Sequence, residues 1–289
     1  SLIMNFNTIS PLTITELLEA IKSNQNNHFR FGAGYTDLIL ELQHQDENDL
    51  TIINLAKLND SSLKNTSKTN LGIRVGALST MANILDNNDL YVFPVLIEAV
   101  KSLASPQIRA TATIGGNICT ASPAGDVSCA LVSLNALCEI INSDGNIRTV
   151  PIVDFFTGVK TTVLQKDEFL RSVLIPTNSN GVEPVSGFIK IGNRNSMEIA
   201  LVSLAFHIIH DDQGIINSAG ISIGSVAKTI MFAEMAIAFL IGKNIKQLSE
   251  NDKNQFADLI LNYANPISDI RASAWYRKQV LWNISKSIF

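Results

Sequence analysis

The chain has 289 residues, of which 46% are hydrophobic and 17% charged, and its formal net charge is −4. This length suggests two domains or one large domain, and the apolar content suffices for a sizeable core, which excludes a disordered chain. The slight acidic excess, without any long basic run, argues against nucleic acid as the main partner.

The sequence contains neither a recognisable membrane span nor a secretion signal. Its most apolar window, residues 231–242, is shorter than the roughly 18 residues that a spanning helix needs, and Glu234 interrupts it. The N-terminal residues SLIMNF lack the basic region and the long apolar core of a signal peptide. We therefore expect a soluble, cytoplasmic protein.

The spacing of the three cysteines, Cys119, Cys129 and Cys138, matches no common zinc or iron–sulfur ligand pattern. We expect them to be small buried side chains in a reducing compartment. If the chain takes part in electron chemistry, its cofactor is therefore organic or lies on a partner.

The first 55 residues predict a small β-α-β unit. Its helix has apolar residues at helical spacing, and Thr13 or Thr15 is the expected N-cap. The predicted elements are a helix at 13–21, a strand at 29–31, a glycine-containing turn at 32–37, a second helix or helical turn from Leu38, and a strand at 51–55.

The middle of the chain alternates regular elements with one segment of different character. The predicted elements are a strand at 71–76, helices at 79–85, 94–103 and 130–136, a hairpin of 138–141 with 146–150, and a strand at 170–175. Asp144-Gly145 supplies the hairpin turn. Between them, residues 108–125 are rich in Thr, Ala, Gly and Ser, a composition that lets backbone approach a neighbour closely.

A boundary is expected in the Asn-, Ser-, Gly- and Pro-rich stretch 177–184. Beyond it, strands are predicted near 187–191, 199–210 and 218–223, followed by a largely helical C-terminus. The chain is therefore predicted to be α+β, with a first domain of residues 1–178 and a smaller second domain of residues 179–289.

The first candidate binding segment is the glycine turn that follows the predicted strand at 29–31. Such a turn can direct several backbone N–H groups at one phosphate anion. The dinucleotide pattern GxGxxG is not satisfied, because Asp37 stands where the third glycine belongs. Taken alone, this segment also fits a plain structural turn.

The second candidate is residues 112–118 (ATIGGNI) with residues 121–126 (ASPAGD). Paired glycines let a planar ligand lie against the main chain, and Asn117 and the Thr113 hydroxyl can donate and accept hydrogen bonds. Asp126 can bind the hydroxyl groups of a sugar or a ribityl chain. The alternative interpretation is a tight turn between core strands.

Two other patterns indicate neither a metal site nor a phosphate-binding loop. His207 and His210 lie three apart on a predicted strand, which directs them to opposite faces, and no carboxylate near them stands in a ligand pattern. Lys228-Thr229 lacks the preceding glycine of a phosphate-binding P-loop, because Ala227 occupies that position.

Together the candidate segments resemble the FAD-binding subunits of molybdenum hydroxylases, a family that includes xanthine dehydrogenase, carbon monoxide dehydrogenase and 4-hydroxybenzoyl-CoA reductase. Residues 105–118 with 120–126 resemble the family's most specific motif. Similar motifs continue in the same order at 33–38, 75–80, 155–158, 168–176, 190–200, 219–225 and 275–278. The resemblance thus covers nearly the whole chain.

The resemblance implies a fold and a set of cofactor contacts. It implies an FAD-binding domain of two α/β subdomains, about 1–57 and 58–178, and a C-terminal domain with an antiparallel sheet and helices. The residues expected to contact the pyrophosphate and adenosine half of FAD are Phe31, Gly32, Ala33, Gly34, Tyr35, Thr36, Asp37 and Leu38. Those expected at the pyrophosphate, ribityl and flavin region are Thr113, Gly116, Asn117 and Asp126, and those expected to line the pocket are Leu170 and Lys190.

Two positions depart from the family pattern. Tyr35 replaces the second glycine of the family's AGGTDL loop, which puts the geometry of the phosphate loop in question. Val159 follows Gly158 where many relatives have a tyrosine near the flavin ring, which puts flavin stacking in question.

The function that the resemblance implies is electron transfer. Electrons from a molybdenum subunit would pass through two [2Fe–2S] clusters on another subunit to FAD on this chain, and then to NAD⁺ or another acceptor, within a dimer of heterotrimers. No residue here needs to act as an acid or a base. The alternatives are an assembly subunit that no longer binds FAD, and a free-standing FAD-dependent reductase.

Overall fold

The computed structural model describes residues 6–32, 50–103, 105–178, 180–193, 196–269 and 272–289. Within these ranges the chain forms three main sheets, with helices packed against each of them. The α+β prediction is confirmed. No helix in the described ranges has the length and apolarity required to cross a bilayer.

The first sheet is small and parallel. Its elements are β1 (Phe6–Ile9), α1 (Ile14–Ser23), β2 (His28–Gly32) and β3 (Leu50–Asn54), and the strand order is β1-β3-β2. The Thr13 hydroxyl caps α1 by accepting a hydrogen bond from the Glu16 N–H, as one of the two predicted caps. The strands predicted at 29–31 and 51–55 are present as the parallel pair β2 and β3, and the sequence pattern missed β1. The predicted element from Leu38 lies outside the described residues.

The second sheet is antiparallel, with strand order β4-β5-β10-β6-β7. Its strands are β4 (Thr66–Lys68), β5 (Gly72–Gly76), β6 (Leu137–Asn142), β7 (Ile147–Pro151) and β10 (Glu168–Pro176), and a short hairpin of β8 (Phe156–Gly158) and β9 (Thr161–Thr162) precedes β10. The predicted hairpin of β6 and β7 is confirmed, with Gly145 at a φ of +83° in its turn.

Helices cover this sheet and connect it to the rest of the molecule. They are α2 (Ser61–Lys64), α3 (Met81–Asp86), α4 (Pro94–Lys101), α5 (Pro106–Thr111), α6 (Ile114–Thr120), α7 (Asp126–Ser133) and α8 (Ile152–Phe155), with a 3₁₀ turn at Asn88–Val92. The helix predicted at 130–136 thus begins at Asp126 and ends at Ser133. Every residue of α7 is buried.

The segment 108–125, to which the sequence pattern assigned no regular element, contains most of α5 and all of α6. Ser105 caps α5 by accepting a hydrogen bond from the Ile108 N–H, and Thr113 caps α6 in the same way through the Gly116 N–H. These local caps supply hydrogen bonds that the small-residue composition does not reveal. The glycine pair therefore lies in the first turn of a helix rather than in a turn between strands.

The third sheet has the order β11-β12-β13-β14 and is antiparallel throughout. Its strands are β11 (Val185–Asn193), β12 (Ser196–His210), β13 (Ile216–Gly224) and β14 (Met231–Phe232), and the helices after it are α9 (Glu234–Leu240), α10 (Glu250–Leu261) and α11 (Ala274–Ser287). The three long strands and the helical C-terminus agree with the sequence-based expectation.

Helix α7 joins the second sheet to the third. A Cβ added at Gly220 of β13 would lie 1.6 Å from the Ser133 carbonyl oxygen, so only glycine permits this approach of strand to helix. The Ser222 hydroxyl donates a hydrogen bond to the Cys129 carbonyl over 2.6 Å. The buried helix α7 therefore lies between the second and third sheets and packs against both.

All three cysteines are free, and two of them match the expectation of burial. Cys129 and Cys138 are buried, while Cys119 is half-buried. Burial raises the pKa of the Cys129 thiol to about 12. At neutral pH this thiol is therefore protonated and behaves as an apolar side chain.

A buried arginine fixes the last helix. Arg277 of α11 is 2% exposed and pairs with both carboxylate oxygens of Asp269, at 3.1 and 3.2 Å. Its Nη1 also donates to the Leu201 carbonyl over 3.0 Å. The ion pair thereby ties the C-terminal helix to the preceding loop and to β12.

His207 of β12 predicts a pH dependence of stability. Burial lowers the pKa of this imidazole from 6.5 to about 4. The unfolded chain binds a proton as the pH falls through 6.5, whereas the folded chain does so only near pH 4. We expect the free energy of unfolding to fall over this window by the order of 3 kcal/mol from this group.

The measurement is urea denaturation between pH 7 and pH 4 on the protein and on a His207→Gln variant. Gln retains a polar group at this position but does not titrate, so the variant should lose this part of the pH dependence. Carboxylates contribute equally to both proteins and cancel in the difference. Identical pH profiles for the two proteins would contradict the assignment.

Candidate functional site

The segment 121–126 is held from two sides. Ala121 has a φ of 52°, and its carbonyl accepts a hydrogen bond over 3.1 Å from the Lys160 N–H, next to the β8–β9 hairpin. On the other side, the Ser225 N–H donates to the Pro123 carbonyl over 2.8 Å. The loop is thus clamped between the hairpin and the turn that follows β13.

A buried ion pair closes this loop. Asp126 is the first residue of α7, and its Oδ2 accepts hydrogen bonds from Lys190 Nζ at 2.6 Å and from the Ser102 hydroxyl at 3.0 Å. The Asp126 side chain is 6% exposed, and the Lys190 side chain on β11 is 25% exposed. Because the helix N-terminus favours a negative charge, helix and lysine together stabilise the carboxylate.

The backbone N–H groups in the first turn of α6 are not available to a ligand. They are already used: Ile114 donates to Ser79, Gly115 to the Ala77 carbonyl, and Gly116 to the Thr113 hydroxyl. This turn therefore offers no unused N–H of these three residues to a phosphate. Gly116 itself is exposed, and a Cβ there would meet only the Thr113 hydroxyl, at 3.0 Å.

Beside the hydroxyls of Ser203 and Ser225, two side-chain oxygens of α6 and α7 have no hydrogen-bond partner in the described part of the chain. They are Asn117 Oδ1 and Asp126 Oδ1, and both are buried. An unsatisfied buried acceptor costs about 1–3 kcal/mol, so hydroxyl or N–H donors from a ligand would relieve this cost. Acceptors of this kind suit the hydroxyl groups of a polyhydroxylated chain such as the ribityl group.

The predicted site residues fall into three groups. Thr113, Gly116 and Asn117 lie together on α6, and Asp126 meets Lys190 directly. Phe31 instead packs its ring 5.9 Å from that of Phe169, in the core of the first sheet.

The remaining predicted residues differ in what the structure says of them. Gly32 is the buried last residue of β2, while Ala33, Gly34, Tyr35, Thr36, Asp37 and Leu38 lie outside the described residues. Leu170 is 5% exposed and belongs to the hydrophobic core of the second sheet. A contribution of Leu170 to a pocket would therefore come from its backbone.

Sequence reasoning missed two residues that shape this site. Ser102 is the C-cap of α4, and its hydroxyl contacts both the Ala99 carbonyl and Asp126 Oδ2. Ser225 has a φ of 66° at the turn that contacts Pro123. A serine within a predicted helix, or after a predicted strand, carries no signal for either role. Val159, which departs from the family pattern, is 53% exposed at the tip of the hairpin.

Comparison with known proteins identifies the family. The family model described as the FAD binding domain in molybdopterin dehydrogenase matches residues 4–178, and the model described as the CO dehydrogenase flavoprotein C-terminal domain matches residues 188–289. The chain belongs to this family. The predicted resemblance, the FAD cofactor and the oxidoreductase class are confirmed at this level.

Individual relatives extend over the whole chain or match part of a longer protein. The nicotinate dehydrogenase FAD-subunit of Eubacterium barkeri is 26% identical over 99% of this chain and 95% of its own length. Xanthine dehydrogenase 1 of Arabidopsis thaliana is 30% identical over 81% of this chain, which spans only 18% of that protein. A chain of carbon monoxide dehydrogenase from Hydrogenophaga pseudoflava, 22% identical, shares the fold with a TM-score of 0.87 over 98% of this chain and 95% of its own.

The glycine pair gives a test that separates folding from ligand contact. A Cβ at Gly115 would lie 2.7 Å from the Ala77 carbonyl oxygen, whereas one at Gly116 faces outward. We expect Gly115→Ala to lower the free energy of unfolding by about 1–3 kcal/mol, because backbone must move. Gly116→Ala should change it by less than about 1 kcal/mol. Urea denaturation of both variants measures this, and equal losses would contradict the packing described.

Proposed function

We propose that this chain is the FAD-carrying subunit of a molybdenum hydroxylase complex. In this role it receives electrons from [2Fe–2S] clusters on a partner chain and delivers them to NAD⁺ or to another acceptor. We also propose two partner chains, one with the molybdenum cofactor and one with the clusters, in a dimer of heterotrimers. The name of the Eubacterium barkeri relative, an FAD-subunit of similar length, supports a separate flavin chain.

The observation that carries the proposal is the polar cluster between the two matched segments. Asp126 belongs to the first segment and Lys190 to the second, and the 2.6 Å contact between them adjoins α7. Asp126 Oδ1 and Asn117 Oδ1 are the acceptors without partners. A cofactor held at a junction of two domains is a common arrangement of ligand sites.

We assign roles to the chain's residues as follows. Lys190 orients the Asp126 carboxylate through the ion pair, Asn117 offers its amide, and Gly116 lets a planar group approach the main chain. Thr113 accepts from the Gly116 N–H and retains its own O–H to donate. FAD supplies the electron-transfer chemistry when it is bound.

The remaining assignments concern the other half of the cofactor. We propose that residues 31–38 contact the pyrophosphate and adenosine, and that Leu170 and Lys190 line the pocket. Since the N–H groups of Ile114, Gly115 and Gly116 are already used, the pyrophosphate would depend on the glycine turn that begins at Gly32.

The deciding experiment is a visible spectrum of the purified chain before and after FAD is added, alone and with co-expressed partner chains. Oxidised-flavin bands that bleach on reduction of the partner clusters are the expected result. If the chain stays colourless with its partners present, the remaining interpretation is an assembly subunit that does not bind FAD. Tyr35 and Val159 are the residues that motivate this alternative. Substrate turnover by the isolated chain would instead indicate a free-standing reductase.

A further inference from the structure

A cavity of about 420 Å³ lies between the start of α4, the segment 177–184 and β12, away from the polar cluster described above. Lys190 of the polar cluster pairs with Ser203 on β12, and His207 lies four residues further along the same strand. At the rise of a β-strand, this separates His207 from Ser203 by about 13 Å. The cavity is lined chiefly by Val92, Phe93, Pro94, Val182, Pro184 and Ile209, together with His207.

The described residues of this wall, 177–178 and 180–184, make hydrogen bonds to the third sheet and to one another. Asn180 Nδ2 donates to the His210 carbonyl over 2.9 Å, and the Val182 N–H donates to Asn180 Oδ1 over 3.0 Å. Asn178 Nδ2 donates to the Ser218 hydroxyl over 3.3 Å. The cavity is thus formed in advance, which lowers the entropy cost of binding a ligand.

His207 supplies one hydrogen-bond donor to this space. The Ser186 hydroxyl accepts from the Val95 N–H at 3.0 Å and lies 2.8 Å from His207 Nδ1. When the Ser186 hydroxyl donates its own hydrogen to Nδ1, the proton of the neutral ring lies on Nε2, and this is the tautomer that the proposal below uses. His207 Nε2 has no protein partner within the described residues, while the Phe93 ring lies 6.2 Å away.

The charge of the lining restricts the ligand further. Glu183 lies at the cavity, and none of the described lining residues is a lysine or an arginine. Burial also lowers the pKa of His207 to about 4, so the ring is uncharged near neutral pH. An anionic ligand would therefore meet a carboxylate and no compensating cation.

We propose that this cavity binds a small, neutral aromatic molecule of one or two rings whose carbonyl oxygen or pyridine-type nitrogen accepts a hydrogen bond from Nε2–H of His207. The apolar walls enclose the rings, and Phe93 faces the imidazole from the side of α4. The size of the cavity lies within the range of small-ligand sites. This site is separate from the flavin assignment, and neither depends on the other.

The test uses benzamide as the probe, on the full chain with its flavin content recorded, by titration followed with saturation-transfer NMR. Saturable binding is expected. His207→Phe removes the donor and Val92→Trp fills the cavity from an exposed position, and each should weaken binding by about tenfold or more. His210→Phe, the matched control on the other face of β12, should leave binding within about twofold.

Several results would overturn the proposal. The absence of saturable benzamide binding up to about 10 mM would contradict it. Unchanged benzamide affinity in Val92→Trp would also contradict it, and this variant tests the site even if His207→Phe does not fold. Benzoate binding as tightly as benzamide would contradict the neutral ligand class. The flavin spectrum of each of the three variants is recorded as well and is expected to be unchanged. A loss of benzamide binding with an unchanged flavin spectrum then concerns this cavity and not the flavin site.

Discussion

Replacing Arg277 by methionine is expected to lower the free energy of unfolding by about 3 kcal/mol. Methionine fills a similar volume but removes the cation beside the Asp269 carboxylate and the donor to the Leu201 carbonyl. Both groups are largely shielded from water, so solvent does not replace what is lost. Urea denaturation followed by far-ultraviolet circular dichroism measures the change.

The control is the next residue along α11. Lys278 is exposed, so Lys278→Met should change the free energy of unfolding by less than about 0.5 kcal/mol. A double variant, Asp269→Asn with Arg277→Met, should be less destabilised than the sum of the two single variants, because the two side chains share one interaction. If Arg277→Met were as stable as Lys278→Met, the ion pair would not hold the helix as described.

Replacing Asp126 by asparagine is expected to weaken FAD binding by about tenfold to a hundredfold. Asparagine keeps the shape of the side chain but removes the charge that Lys190 compensates and one of the oxygen acceptors. Titration of the flavin-free chain with FAD, followed by flavin fluorescence, gives the dissociation constant. The prediction rests on the flavin assignment made above.

Asp154→Asn is the matched control, since this carboxylate is exposed on α8 and the chemical change is identical. Its FAD affinity should equal that of the unmodified chain. Denaturation of both variants separates a loss of affinity from a loss of folding. If Asp126→Asn bound FAD normally, the carboxylate would serve only to join α7 to β11.

The elements that the sequence predicted well are those specified by local chemistry. The Thr13 cap begins α1, Asp144-Gly145 turns the β6–β7 hairpin, and apolar residues at alternate positions mark the strands of the third sheet. The four-residue strand β1 has no such signal. It is recognisable only through its pairing with β3, which is a contact between distant parts of the chain.

The site was predicted less completely for the same reason. The resemblance pointed to Asp126 and Lys190, but neither residue's spacing indicates that they meet, and nothing marks Ser102 as a third member. The sequence did not show that the glycine pair lies in a helix, because the docking of Gly115 against Ala77 is a contact between distant parts of the chain. The expected domain boundary at residues 178/179 and the individual FAD contacts stay predictions.

The strand order of the second sheet has a consequence for how the chain acquires its structure during synthesis. Strand β10 lies at the centre of the sheet between β5 and β6, yet it is the last of the five strands to leave the ribosome. Until then, β4–β5 and β6–β7 can form only as separate hairpins, each exposing the edge that β10 pairs in the finished sheet. At translation rates of about 5–20 residues per second, β5 waits several seconds for its partner. The nascent chain therefore passes through an interval in which two strand edges are open to pairing with other chains.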